Sequence, residues 1–169
     1  MMDAKLRTAA KRLLDLCRVR GLRVATAESC TGGLVAGALT EIAGSSDVVE
    51  RGFVVYSNAA KESMLGVPPS TLKRYGAVSA QTAIAMAAGA LKNSEADITV
   101  SITGIAGPGG GSRQKPVGLV HFAAASRDGT SLHQRKLYGK IGRRRVRERS
   151  VLQALEMLDK LAQEPDGSR

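Results

Sequence analysis

Apolar residues recur at helical spacing over residues 4–20, where Leu6, Leu13, Leu14, Leu16 and Val19 fall near one stripe, and Gly21 ends the run. The compact segment LRVATA at 22–27 predicts a strand, and 32–43 predicts a helix. Ser45, Ser46 and Asp47 read as a turn. VVERGFVVY at 48–56 then reads as a strand with a polar interruption. Residues 58–65 predict a short helix stopped by Gly66 and by Pro68-Pro69, and a second short helix follows. Ser79 is a good N-cap for an alanine-rich helix running to about Lys92. Asp97 to Ile102 predicts a strand, and 103–116, TGIAGPGGGSRQKP, a long glycine-rich loop. Val117 to Ala125 and Ser131 to Tyr138 read as two strands of a hairpin turning at Arg127-Asp128-Gly129. A last helix covers about 143–162, and Pro165-Asp166-Gly167-Ser168 reads as a frayed tail.

Helices that alternate with strands early, followed by a late hairpin, predict an α/β fold: a three-layer α/β/α domain with a mixed sheet. No internal repeat or linker divides the chain, so one domain is expected over 1–169 with a core of about 5–160. At this length roughly two-thirds of the unfolded surface can be buried, enough to fold without a metal or a disulfide.

Composition narrows the classes. The two cysteines, Cys17 and Cys30, make no disulfide framework. The first segment is charged and amphipathic, unlike a signal peptide, and no apolar run reaches membrane-spanning length. These features predict a soluble cytoplasmic protein. The net charge is +10, but residues 135–149 carry eight Lys or Arg and one Glu, a net +7, leaving +3 elsewhere. That local patch is either a solvated helix start or an anion-facing surface. Two Phe, three Tyr and no Trp leave little to stack on bases, which argues against nucleic acid.

Candidate chemistry begins at TAESCTGG, 26–33, where a strand passes through Ser29, Cys30, Thr31, Gly32 and Gly33 into a helix. Such a turn presents N–H groups at the positive end of a helix. It suits a serine nucleophile with an oxyanion hole, a phosphate cradle, or a plain capping turn. It is neither a P-loop nor G-x-G-x-x-G. The histidines, His121 and His133, sit inside strand patterns without an evident carboxylate orienter, so a Ser-His-Asp triad is weakly supported. A lysine serves as base if burial lowers its pKa. YSNAAK, 56–61, offers Lys61 beside Tyr56 and Asn58 at another strand end, although Ser29 is not part of an S-x-x-K motif. The loop from Thr103 leaves a third strand end, and three such ends can line one crevice. Cys17, Cys30, His121 and His133 lack metal-ligand spacing, and Glu28 and Asp47 make no carboxylate pair.

Taken in order and spacing, AESCTGG (27–33), ERGFVVYSNAAK (50–61), YGAVS (75–79), SITGIAGPGGG (101–111) and KPVG (115–118) resemble the CinA C-terminal domain family, the nicotinamide mononucleotide deamidases. The resemblance covers roughly residues 5–160. It implies a three-layer α/β/α fold and hydrolysis of the carboxamide of nicotinamide mononucleotide to nicotinate mononucleotide and ammonia. No cofactor or metal is implied. It further implies Ser29 as nucleophile, Lys61 as base and Tyr56 as a positioning or relay group. Cys30, Thr31, Gly32, Gly33, Asn58, Thr103, Gly104 and Gly107 would line the substrate site. The family often carries Gly-Asp-Arg at the start of the last helix, where this chain reads Ile141-Gly142-Arg143. Arg143 and Arg147 match, and either would hold the substrate phosphate. A homo-oligomer is expected. The competing readings are a silent pyridine-nucleotide binder, a nucleic-acid-associated protein, and a hydrolase of another small amide.

Overall fold

The computed structural model describes residues 2–164. Its elements run α1 (Ala4–Arg20), β1 (Val24–Glu28), α2 (Leu34–Thr40), a 3-10 turn (Ser45–Asp47), β2 (Val49–Val54), α3 (Asn58–Leu65), α4 (Pro69–Tyr75), α5 (Ala80–Lys92), β3 (Ile98–Gly104), β4 (Leu119–Ser126), β5 (Ser131–Leu137) and α6 (Arg143–Gln163). The five-stranded sheet has the order β2-β1-β3-β4-β5. β1 runs parallel to both β2 and β3, whereas β3–β4 and β4–β5 are antiparallel. The sheet is therefore mixed, as the alternation predicted.

Handedness explains the layers. The step from β1 to β2 and the step from β2 to β3 move in opposite directions along the sheet. Right-handed crossovers then require their helices on opposite faces. α1, α2 and α6 pack on one face around Val100, Ile102, Val120 and Phe122. Leu65 of α3, Leu72 of α4 and Met86 of α5 pack on the other, against Ala27 and Phe53.

β3 records both faces by its alternation. Ile98, Val100 and Ile102 enter the first core. Thr99, Ser101 and Thr103 point the other way, and their hydroxyls donate to the carbonyls of Ala87 (2.8 Å), Ala83 (2.5 Å) and Ala77 (2.7 Å). Alanines at 83, 87, 123 and 125 let α5 lie close enough to the sheet for the bonds to Ala83 and Ala87.

Several elements differ from the sequence pattern; β2 is shorter than 48–56, and β3 runs on to Gly104, so that Thr103 belongs to the strand and not to the loop. The stripe of α1 that is buried is Ala10, Leu13, Leu14 and Cys17, while Val19 is 86% exposed. Spacing by three and four selects the first set, and Val19 lies off that face. β1 begins at Val24 and includes Glu28, a residue the apolar run did not enlist. α2 is shorter than 32–43, because Gly32 and Gly33 adopt positive φ of 57° and 97° and form the turn before it. The tail at 165–168 lies outside the described residues.

Candidate active site

The three parallel strands β2, β1 and β3 end at one edge of the sheet, and each delivers part of one cleft. Ser29 follows β1, Tyr56 and Lys61 follow β2, and the glycine-rich loop follows β3. The cleft has a volume of 280 Å³, at the small end for ligand pockets (about 300–1,000 Å³). Ser29, Cys30, Tyr56, Lys61, Gly104, Gly107 and Arg143 line it.

Lys61 occupies the first turns of α3, which Ser57 caps by accepting from the Ala60 N–H at 3.0 Å. Its side chain runs inward and is only 1% exposed. Nζ lies 3.0 Å from Ser29 Oγ, 2.9 Å from the Val55 carbonyl oxygen and 3.4 Å from that of Tyr56. Burial pushes its pKa below the ordinary lysine value. The partners define what the amine can do. Carbonyl oxygens only accept, so the two N–H bonds of a neutral amine go to Val55 and Tyr56. The lone pair is then left for the Ser29 hydroxyl. That is the orientation of a base poised to take the serine proton.

Ser29 is itself buried, and its N–H donates to the Ile102 carbonyl of β3 at 3.0 Å. Beyond it the chain turns. The Gly32 N–H closes onto the Ser29 carbonyl at 3.0 Å. The wholly buried Glu28 carboxylate accepts from the N–H groups of Gly33 (2.8 Å), Val35 (3.2 Å) and Ala36 (2.8 Å). This corrects the expectation that the whole turn offers oxyanion donors: the turn itself consumes the N–H groups of Gly32 and Gly33. Among the described residues no oxygen accepts from the N–H groups of Cys30 and Thr31, and of these two residues only Cys30 lines the cleft. Glu28 was missed in the sequence; its signal was an acid at the end of an apolar strand, just before a helix start that its carboxylate could cap. Burial pushes the Cys30 thiol up to about 12, so at neutral pH it is a protonated wall group beside the serine.

At the rim, Arg143 opens α6 and donates to the Gly107 carbonyl and to the Tyr56 hydroxyl, both at 3.0 Å. It therefore bridges the β2–α3 connection to the glycine-rich loop. Tyr56 reaches Lys61 through its main-chain carbonyl, not its phenol, which is on the exposed side. Gly104 and Gly107 have no room for a side chain: an added Cβ would lie 2.8 Å from the Leu119 carbonyl oxygen and 2.6 Å from Val117 Cγ1, respectively.

Other sequence candidates lie elsewhere. Asn58 is exposed at the start of α3, away from the cleft. Thr103 is buried and acts on the wall at second hand, through its bond to the carbonyl of Ala77, which does line the cleft. Thr31 is wholly buried with its hydroxyl unpartnered. Arg147 reaches the turn from α6 and does not line the cleft. His121 and His133 face each other at 3.0 Å between β4 and β5, so neither serves Ser29. No cluster of three or more metal-ligating side chains occurs among the described residues, and among them no helix is long and apolar enough to cross a membrane.

A three-layer α/β sheet whose parallel strands bring a serine, a buried lysine and a glycine-rich loop to one edge has the geometry that acyl transfer through a serine–lysine pair needs. The chain belongs to the CinA C-terminal domain family, whose model matches residues 6–162. It is 48% identical to the nicotinamide-nucleotide amidohydrolase PncC of Escherichia coli K12, over 94% of this chain and 95% of that one. It is 50% identical to a putative competence-damage inducible protein of Caldicellulosiruptor bescii over 88% of this chain, but spans only 36% of that longer relative. Its structure resembles that of the competence/damage inducible protein CihA from Agrobacterium tumefaciens, with a TM-score of 0.95 and 56% identity over 96% of this chain and 99% of that one.

Proposed function

We propose that this chain hydrolyses the carboxamide of nicotinamide mononucleotide to nicotinate mononucleotide and ammonia, with Ser29 as nucleophile and Lys61 as base. The observation that carries the reading is the buried Lys61 Nζ, 3.0 Å from Ser29 Oγ, with two carbonyls taking its N–H bonds. The names of the relatives that match this chain nearly end to end support the substrate.

In this mechanism Ser29 Oγ attacks the amide carbon while its proton passes to Lys61. The N–H of Cys30, a residue that lines the cleft, meets the oxyanion of the tetrahedral intermediate. The new ammonium on Lys61 returns its proton to the amide nitrogen, and ammonia leaves an acyl-enzyme. Water then attacks the acyl carbon as its proton passes to Lys61; the ester C–Oγ bond breaks, Lys61 returns the proton to Ser29 Oγ, and nicotinate mononucleotide leaves. The cleft takes the pyridine ring, and the ribose phosphate extends over the open rim. There the Arg143 guanidinium, already held by Tyr56 and Gly107, presents its remaining N–H donors to the phosphate.

The deciding experiment follows ammonia from nicotinamide mononucleotide with the wild-type chain and with Ser29→Ala. Release by the wild type at least about 10³-fold faster than by the variant is expected. Equal release would remove Ser29 as nucleophile, and no release from the wild type would sink the reading.

A further inference from the structure

We infer that Arg147 is a positioning residue that sets the nucleophile turn, and not a ligand of the substrate phosphate; the inference rests on the amidase reading for its substrate. Arg147 lies four residues after Arg143 on α6, so the two share a helix face. Their surroundings differ. Arg143 lines the cleft, whereas the half-buried Arg147 sends Nε–H to the Cys30 carbonyl (3.2 Å) and Nη2–H to the Thr31 carbonyl (3.3 Å). Two N–H bonds of one rigid guanidinium thus hold the Cys30–Thr31 and Thr31–Gly32 peptide units, the second of which is also held by the Leu34 N–H, 3.1 Å from the Thr31 carbonyl.

The peptide plane turns this hold into an orientation. In a trans peptide the C=O and the next N–H point in opposite directions. Fixing the Cys30 carbonyl at Arg147 therefore directs the Thr31 N–H away from α6. Fixing the Thr31 carbonyl does the same to the Gly32 N–H, which closes onto the Ser29 carbonyl at 3.0 Å. Arg147 thereby fixes the orientation of the peptide that joins Cys30, beside the nucleophile on the cleft wall, to Thr31.

The turn needs such a hold. Gly32 and Gly33 sit at φ of 57° and 97°, and two glycines in a row confer no stiffness of their own. α2 behind them has seven residues. Glu28 secures the far end through Gly33, Val35 and Ala36, and Arg147 secures the near end. The guanidinium also lies against Gly32, where an added Cβ would meet Nη2 at 3.5 Å. Arg147 does not line the cleft, so a phosphate held there would meet it only if the side chain swung off both carbonyls, undoing the geometry that the reaction uses.

The test compares the wild type with Arg147→Met and Arg147→Lys on the mononucleotide and on its unphosphorylated nucleoside. It also measures the rate at which a fluorophosphonate labels Ser29. That reaction forms the Oγ–P bond, expels fluoride and passes the serine proton to Lys61, without needing a pyridine or a substrate phosphate. A positioning role predicts labelling and kcat reduced about 10²-fold in Arg147→Met, by the same factor on both substrates. KM for the mononucleotide should stay within about threefold of the wild type. Arg147→Lys should recover part of the loss, since one ammonium reaches one carbonyl, and it replaces the Met variant if thermal melting shows that variant unfolded. Labelling at the wild-type rate in both variants would overturn the inference. So would a rise in KM confined to the mononucleotide. If the wild type labels at Ser29 and the variants label slowly, but no chain releases ammonia, the substrate assignment fails and the positioning role stands.

Discussion

In the proposed mechanism Lys61 trades stability for chemistry. A lysine at 1% exposure is costly as an ammonium, and its hydroxyl and two carbonyl partners supply no countercharge. The free energy falls if it stays neutral, and a neutral amine is what the serine needs. Its pKa lies below the ordinary value in the fold, so between the two values the unfolded chain binds the extra proton. Stability should therefore rise with pH through that window, with the penalty fully present below the folded pKa. The ascending limb of kcat/KM should report the same group, with its inflection below the ordinary lysine value. Lys61→Met should abolish activity and flatten that part of the stability profile, read from urea midpoints across pH. A Met variant that keeps the wild-type slope would assign the titration to another group.

At the scale of elements, the fold positions its site through close approach. α5 meets α3 at Gly89, where an added Cβ would lie 2.0 Å from the Leu65 carbonyl oxygen and 2.9 Å from the carbonyl carbon. Helix propensity alone would favour Gly89→Ala by about 1 kcal/mol. Overpacking against backbone costs about 1–3 kcal/mol and often more when neither chain can yield, so the clash wins. Gly89→Ala should lower the melting temperature; an unchanged or higher value would show that α3 can slide. Because α3 carries Lys61, the same substitution should also lower kcat. The pattern of small residues was legible in the chain, with alanine and glycine crowding 80–90. Which glycine sits at the crossing was not, because that depends on where α3 comes to rest.

Across the whole molecule, charge and titration are distributed unevenly. Two of the eight cations of 135–149 are turned to the site edge: Arg143 to the rim and Arg147 to the serine turn. Arg144 pairs instead with Glu148 at 2.7 Å. On the other side of the sheet, burial first, and then His133, Arg135 and Lys115, push His121 down to about 4. The unfolded chain protonates this histidine near 6.5, so stability should be lost as pH falls from there towards about 4. His121→Gln should blunt that loss in denaturation curves taken over the same range. An unchanged acid limb in the variant would place the loss in other groups.

The period of the apolar residues, the glycines that stop helices and the Ser79 cap are local signals, and they suffice for α3, α5, the hairpin and the α/β class. The motifs also placed the three strand ends in one crevice, since parallel strands share a carboxyl edge. Contacts between distant segments are another matter. Ser29 and Lys61 are 32 residues apart, and Arg147 and Cys30 are 117 apart. No local pattern distinguishes Asn58 on the outside from Lys61 on the inside. Nor does any assign Thr103 to Ala77. Those outcomes depend on which surfaces the layers bury when they close, because a side chain's partner, solvation and proton affinity follow from the packing around it and not from its neighbours along the chain.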